Sequence, residues 1–227
     1  MKEFAIFDNN GYLLQFGEEL MTKMNNIKQH WNNVYETKND DEVSWYQENP
    51  TSSLNLITAL NLSNEAEIID VGGGNSNLTK ELQKHGFVNL SVLDISNKVL
   101  EHTKTKLGEN GKNIKWIVSD ILDFKLKQRY DLWHDRATFH FLTRKSNIVK
   151  YVTIASKAIK KNGYLVLATF SKSGPKKCSG LDIMQYDKEK LQELFGEQFT
   201  LIKSFEEVHR TPYNTEQNFI YNLFQKR

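Results

Sequence analysis

The stretch Asp70-Val71-Gly72-Gly73-Gly74-Asn75-Ser76 concentrates chemistry in a way nothing else in the sequence does. It follows the apolar residues Ile68 and Ile69 and precedes an amphipathic stretch from Leu78 to Leu82, an order that reads as strand, glycine turn, helix. A turn without side chains lets its backbone approach a ligand closely, and free N–H groups at a helix start favour anionic or polar groups. Asp94 lies 94 − 74 = 20 residues beyond the last of these glycines, at the end of a second apolar run. An acid so placed accepts hydrogen bonds from the hydroxyls of a ribose, although aspartates at strand ends also serve simply as helix caps. The spacing departs from the G-x-G-x-x-G dinucleotide fingerprint, whose last small residue, counted from Gly72, would fall at Asn77.

The elements that must position these residues alternate along the chain. After the strand at Ile68–Val71, Val88 to Leu93 reads as a strand, and Ser96 caps a helix bearing Val99, Leu100, Thr103 and Leu107 that stops at Gly108. Ile114 to Val118 reads as a third strand and Asp131 to Trp133 as a short fourth. A long helix through Ile148, Val152, Ala155 and Ile159 is expected to end at Gly163, and Tyr164 to Phe170 reads as a buried strand. Asp187 caps a helix closed by Gly196. Phe199–Phe205 and Asn218–Phe224 have no helical pattern between them and are expected to pair antiparallel at the sheet edge. The fold class is therefore α/β, a Rossmann-like, doubly wound, mostly parallel seven-stranded sheet with an antiparallel C-terminal hairpin. Upstream, Ile27, Trp31, Val34 and Tyr35 share one helical face, and Leu54, Ile57 and Leu60 mark a second helix after Pro50 and Ser52-Ser53. Residues 1–24, with a hairpin pattern around Asn10-Gly11, are read as an N-terminal appendage or extension to a domain spanning 25–227.

Bulk properties narrow the classes. A chain of 227 residues, 39% hydrophobic and 26% charged, suits one globular α/β domain. A formal charge of +2 carries no footprint of a dedicated nucleic-acid binder. One cysteine excludes an internal disulfide framework and any multi-cysteine metal site, so no metal is expected. No apolar run reaches membrane-spanning length and the start has no signal-peptide core, so a cytoplasmic protein, with a monomer favoured, is expected.

The D-x-G-x-G pattern resembles the first motif of class I S-adenosylmethionine-dependent methyltransferases, with Ser76 where a third glycine would fall. The stretches His30–Lys38 (H-W-N-x-V-Y-x-T-K), Val43–Gln47 (V-S-W-Y-Q), Trp133–Leu142 (WHDRATFHFL) and Gly174–Leu181 look like a bacterial group of that family, a resemblance running from about Asn25 to the C-terminus. It implies S-adenosylmethionine (SAM) as cofactor and S-adenosylhomocysteine (SAH) as product. Gly72, Gly73 and Gly74 would form the cofactor turn, with Asp70 approaching the amino-acid part or holding the turn. Asp94 would take the ribose and Ile95 one face of the adenine. Asp120, followed by Ile121, would accept the adenine amino group. Trp45 and Tyr46 could form a lid over the methionine end, since a sulfonium is attracted to aromatic faces. Trp31 reads better as ordinary helix packing.

Methyl transfer from a sulfonium is an in-line displacement, so orientation and exclusion of water matter most, and a base is needed only for a protonated nucleophile. His134 and His140, near the carboxyl end of the fourth strand, are the candidate bases, though a lone histidine there is more often a structural hydrogen-bonder. Asp135 and Arg136 are expected to pair, the alternative being that Arg136 clamps an acceptor carboxylate. The Gly-, Ser- and Lys-rich segment from Ser171 to Asp182 is expected to be a movable loop bordering the acceptor. Cys178, beside Lys177, is a candidate for a lowered thiol pKa, though such a cysteine is more often incidental. An N/D-P-P-Y motif and a Pro-Cys nucleophile are both missing, so a DNA base is not the expected acceptor. The leading expectation is a SAM-dependent methyltransferase acting on a small molecule or a protein side chain. The alternatives are a non-catalytic SAM-binding protein and, less favoured, a nicotinamide-dependent oxidoreductase.

Overall fold

The computed structural model describes the backbone from residue 16 and the side chains from residue 26 to the C-terminus; the hairpin pattern before Phe16 lies outside the described residues. The apolar runs become the strands of one sheet. In chain order these are β1 (Ile68–Val71), β2 (Leu90–Asp94), β3 (Lys115–Val118), β4 (Tyr130–Arg136) and β5 (Ile159–Phe170). A separate two-stranded piece follows, β6 (Lys177–Cys178) and β7 (Leu181–Asp182), and then β8 (Phe199–Arg210) and β9 (Glu216–Lys226). The helices are α1 (Phe16–Thr37), α2 (Thr51–Thr58), α3 (Leu78–Lys84), α4 (Asn97–Leu107), α5 (Lys145–Ala158) and α6 (Lys188–Phe195). Helix α1 runs through residue 24, where the sequence suggested a boundary.

The seven-stranded sheet has the order β3-β2-β1-β4-β5-β9-β8. The first five strands are parallel, and β9 lies antiparallel between β5 and β8. This is the Rossmann-like sheet with a terminal antiparallel hairpin that the pattern of elements predicts. β1 and β2 are buried at every position, as strands covered on both faces must be. One apolar cluster lies on the α5–α6 side, built around Trp133, Leu165, Tyr151 and Phe195. The other lies on the side of α2, α3 and α4, around Ile57, Leu78, Leu132 and Val166. Strand order reverses where β1 meets β4, and in open α/β sheets the crevice outside the strand ends at such a point is where ligands bind.

Three local differences from the sequence reading have physical causes. Helix α5 stops at Ala158 rather than Gly163 because Ile159 already pairs with Tyr130, and the positive φ of Asn162 (63°) re-aims the chain inside β5. Strand β4 spans seven residues rather than three, which carries His134, Asp135 and Arg136 into the sheet. The Ser171–Asp182 segment is not an open loop: it holds the β6–β7 hairpin and buries Cys178. Among the described residues no helix is long and apolar enough to cross a membrane.

Candidate active site

The glycine turn is held from several sides. Gly72 has φ +69°, and a Cβ there would collide with Thr138 Oγ1, a hydroxyl that donates to the Val71 carbonyl at 3.1 Å. Glycine is required on both counts. The Gly74 N–H donates to Asp94 Oδ2 (3.1 Å), and Thr103 Oγ1 donates to the Gly74 carbonyl (2.5 Å). Asp94 Oδ1 accepts from the Ser96 N–H at 2.8 Å, while Ser96 Oγ caps α4. Burial pushes the Asp94 carboxyl up to about 6, although the backbone donors of Ser96 and Gly74 hold it down in part. A carboxylate has about four lone-pair sites, so both oxygens retain capacity to accept ligand hydroxyls.

Parallel register places Asp70 directly beside His134, and side-chain alternation puts both, together with Arg136, on one face of the sheet. Asp70 Oδ1 and His134 Nδ1 are 2.7 Å apart, and His134 Nε2 lies 2.8 Å from Ser53 Oγ on α2. All three residues are buried. With the imidazole Nδ1–H donating to the carboxylate, Nε2 accepts from the serine hydroxyl. The other Asp70 oxygen, Oδ2, is buried without a partner, and a Cβ on Gly73 would run into it. Ser53 was read in the sequence only as a helix-start residue. No local signal marks its link to His134, 81 residues away.

An aromatic segment covers this face. Trp45 Nε1 donates to Asn75 Oδ1 (3.3 Å), and Asn77 Nδ2 donates to the Gln47 carbonyl (2.9 Å), which fastens the segment over the turn. Trp31 packs edge-on against Trp45 and Phe141, and Asn32 Oδ1 accepts from Ser96 Oγ at 2.7 Å. Below the cover a cavity of about 40 Å³ is lined by Tyr46, Asp70, Gly72, Gly73, His134 and Arg136, among others. Tyr46 also borders a larger, open cleft of about 590 Å³ between the end of α1 and α4, beside Tyr35, Asp40, Lys98 and His102. The structure thus gathers Trp45, Tyr46, Asp70, Gly72, Gly73, His134 and Arg136 of the sequence-predicted residues around one cavity, and Gly74, next in the turn, is hydrogen-bonded to Asp94. It does not bring Ile95, Asp120 or Ile121 into either space. Ile95 and Asp120 are half-buried at the ends of β2 and β3, and Ile121 is buried in the core. Asp120 Oδ1 accepts from the Leu122 N–H at 2.8 Å, and burial raises its carboxyl.

The expected Asp135–Arg136 pair does not form. Alternation sends Asp135 to the opposite face, where its oxygens accept from Tyr151 Oη (2.5 Å) and from the Thr138 and Phe139 N–H groups (2.9 and 3.2 Å). Burial nevertheless lifts its carboxyl to about 6. Neither candidate base presents an open lone pair. Both ring nitrogens of His134 are engaged. His140 is fully buried, and its Nδ1 accepts from the Phe170 N–H (3.3 Å), which places its proton on an unpartnered Nε2. Burial and then the Arg136 charge pull its pKa down to about 3, so the ring is neutral. For Cys178 the ordinary reading holds and the lowered thiol pKa does not: burial pushes its thiol up to about 12, against a smaller opposing pull from Arg136. Among the described residues no cluster of His, Cys, Asp and Glu could hold a metal.

The site's own atoms suit a cationic amino group and a pair of hydroxyls: an orphaned carboxylate oxygen, a turn that excludes any Cβ, and a buried acid at a carboxyl strand end. The family profile described as a methyltransferase domain matches residues 62–225. The chain is 29% identical over 191 residues to EEF1A lysine methyltransferase 2 of Danio rerio, covering 78% of this chain and 76% of the relative. It is 28% identical over 106 residues to malonyl-[acyl-carrier protein] O-methyltransferase 2 of Ilyobacter polytropus, covering 46% and 39%. The N-methyltransferase NodS from Bradyrhizobium japonicum, solved with S-adenosyl-L-homocysteine, superposes with a TM-score of 0.63 at 16% identity, covering 88% of this chain and 98% of NodS.

Proposed function

The chain belongs to the methyltransferase-domain family, and we propose that it transfers the methyl group of SAM to a small-molecule acceptor or a protein side chain. The observation that carries this reading is the orphaned Asp70 Oδ2 beneath the glycine turn. A buried, unpaired carboxylate oxygen is costly, and the ammonium of the cofactor's amino-acid end is the partner such a group calls for. The same reading gives Asp94 to the ribose hydroxyls, Ile95, Asp120 and Ile121 to the adenine side, and Tyr46 to the cover over the methionine end.

When bound, the cofactor supplies a methyl group on an electrophilic sulfonium. The chain's own residues orient and desolvate. His134 is a positioning residue: it donates to Asp70 Oδ1, fixes the carboxylate beneath the turn, and is itself fixed by Ser53. His140 is structural, since it is neutral and sealed off. We infer that the acceptor arrives as a competent nucleophile and that these imidazoles do not deprotonate it.

Incubation with methyl-labelled SAM and size-separated cell extract tests the proposal. Label is expected in either the small-molecule or the protein fraction, and to vanish with D94A. Label in neither fraction, with SAH binding intact, would leave a binding protein and contradict the catalytic reading.

A further inference from the structure

Among the described residues nothing balances the charge of Arg136. Its Nε donates to Tyr221 Oη (3.0 Å) and its Nη1 to the Trp45 carbonyl (3.0 Å), while the guanidinium carbon sits 4.4 Å from the centre of the Phe219 ring. The small residue Ala168, which lies between Arg136 and Tyr221 in register, leaves room for this reach across β5. Nη2 is buried with no partner. Among the described residues no carboxylate comes within the 4.0 Å that defines an ion pair with this guanidinium. The ionisable groups that feel its charge offer no compensation. Burial, with Arg136 adding to it, holds His140 near 3 and His209 near 4, and the Cys178 thiol stays protonated. A part-buried cation without a counter-ion is an expensive arrangement, and a guanidinium edge is shaped for two oxygens of one anion.

Arg136 also lines the cavity that contains Asp70 and the glycine turn. That wall therefore presents an unpaired anion edge and an unpaired cation edge on the same face of the sheet, on either side of His134. We propose that Arg136 is the anchor for a carboxylate of the bound ligand, taking it in place of, or alongside, the Trp45 carbonyl. The proposal rests on the cofactor reading for its location. Two sources carry the required chemistry, the amino-acid end of the cofactor and an acidic acceptor.

The test combines calorimetry with side-chain NMR on wild type, R136Q and the charge-preserving R136K. SAH is compared with 5′-methylthioadenosine, which has the same adenosine and thioether but no amino-acid end. Malonate is titrated as a carboxylate probe, with and without SAH, while the Arg136 Nε–H resonance is followed. If the cofactor supplies the carboxylate, R136Q weakens SAH about tenfold or more, leaves 5′-methylthioadenosine unchanged, and R136K falls between. If the acceptor supplies it, R136Q leaves both nucleosides unchanged and malonate shifts the Nε–H signal of SAH-saturated wild type. Equal weakening of both nucleosides by R136Q, with malonate silent, marks a purely structural arginine and overturns the proposal. So does the absence of any effect in either arm. Failure of wild type to bind either nucleoside would sink the cofactor reading instead, and malonate titrated into the free protein would then decide Arg136 alone.

Discussion

Asp70 and His134 stand side by side on β1 and β4 and share a 2.7 Å hydrogen bond in which only one oxygen of the carboxylate is used. The bond leaves the second oxygen fixed beneath the glycine turn. H134Q puts its amide at the distance of Nε2 and leaves no donor in the Nδ1 position beside Asp70, so it is expected to destabilise the fold by about 2 kcal/mol, the scale of a lost hydrogen bond to a buried charge, and to weaken SAH several-fold. S53A removes only the far end of the chain and is expected to cost about 1 kcal/mol with SAH affinity nearly unchanged. Chemical denaturation and calorimetry check both; an equal loss of SAH affinity in the two variants would place Ser53 on the ligand.

With Asp94 on the ribose, as proposed, cofactor binding is expected to depend on pH. Its carboxyl, lifted by burial to about 6, must be ionised to accept ribose hydroxyls fully, so affinity rises as pH rises through about 6 and levels off above it. Binding near pH 6 should therefore release protons, seen as a buffer-dependent calorimetric enthalpy. D94N is expected to bind weakly with a flat profile. A wild-type affinity that is flat from pH 5 to 7.5 would remove Asp94 from the ribose.

The buried Asp135–Tyr151–Trp133 chain is a stability element. Tyr151 Oη donates to Asp135 at 2.5 Å and accepts from Trp133 Nε1 at 3.1 Å, so Y151F strands both and should cost about 2–3 kcal/mol.

Asp135 also leaves a signature in pH. Because its folded pKa, about 6, lies above the ordinary carboxylate value, the folded state binds more protons between about pH 4 and 6 and stability falls as pH rises through that window. His140 and His209, held low by burial, act oppositely up to about pH 6.5. The clean readout is the difference between wild type and D135N, which should decline across that window; a flat difference would mean that Asp135 is already ionised in acid.

Cys178 should be inert. It is the only cysteine, it is buried, and its thiol is pushed up to about 12, so a disulfide reagent at neutral pH is expected to label it no faster than the protein unfolds. Rapid labelling of the native protein would show the β6–β7 hairpin opening.

Much of this was legible in the sequence, for identifiable reasons. The glycine turn, the acid 20 residues on and the alternation of apolar runs are local signals, and they translated into β1, β2 and the doubly wound sheet. The Asp135–Arg136 pairing was misread because adjacent strand residues point to opposite faces, and the span of β4 was underestimated beyond Trp133. Ser53 and the exposure of Cys178 were not legible. Both depend on contacts across the sheet, such as Ser53 to His134, for which a single sequence has no periodicity to offer. The state of Arg136, uncompensated among the described residues, was equally hidden, since it is defined by carboxylates that lie elsewhere in the fold.

Calorimetric titration of SAH into wild type and D94A tests the central claim, that the glycine turn with Asp70 and Asp94 holds the cofactor. One saturable site, weakened about tenfold or more by D94A, is the predicted result. Absence of binding, or equal affinity in the two proteins, would contradict it.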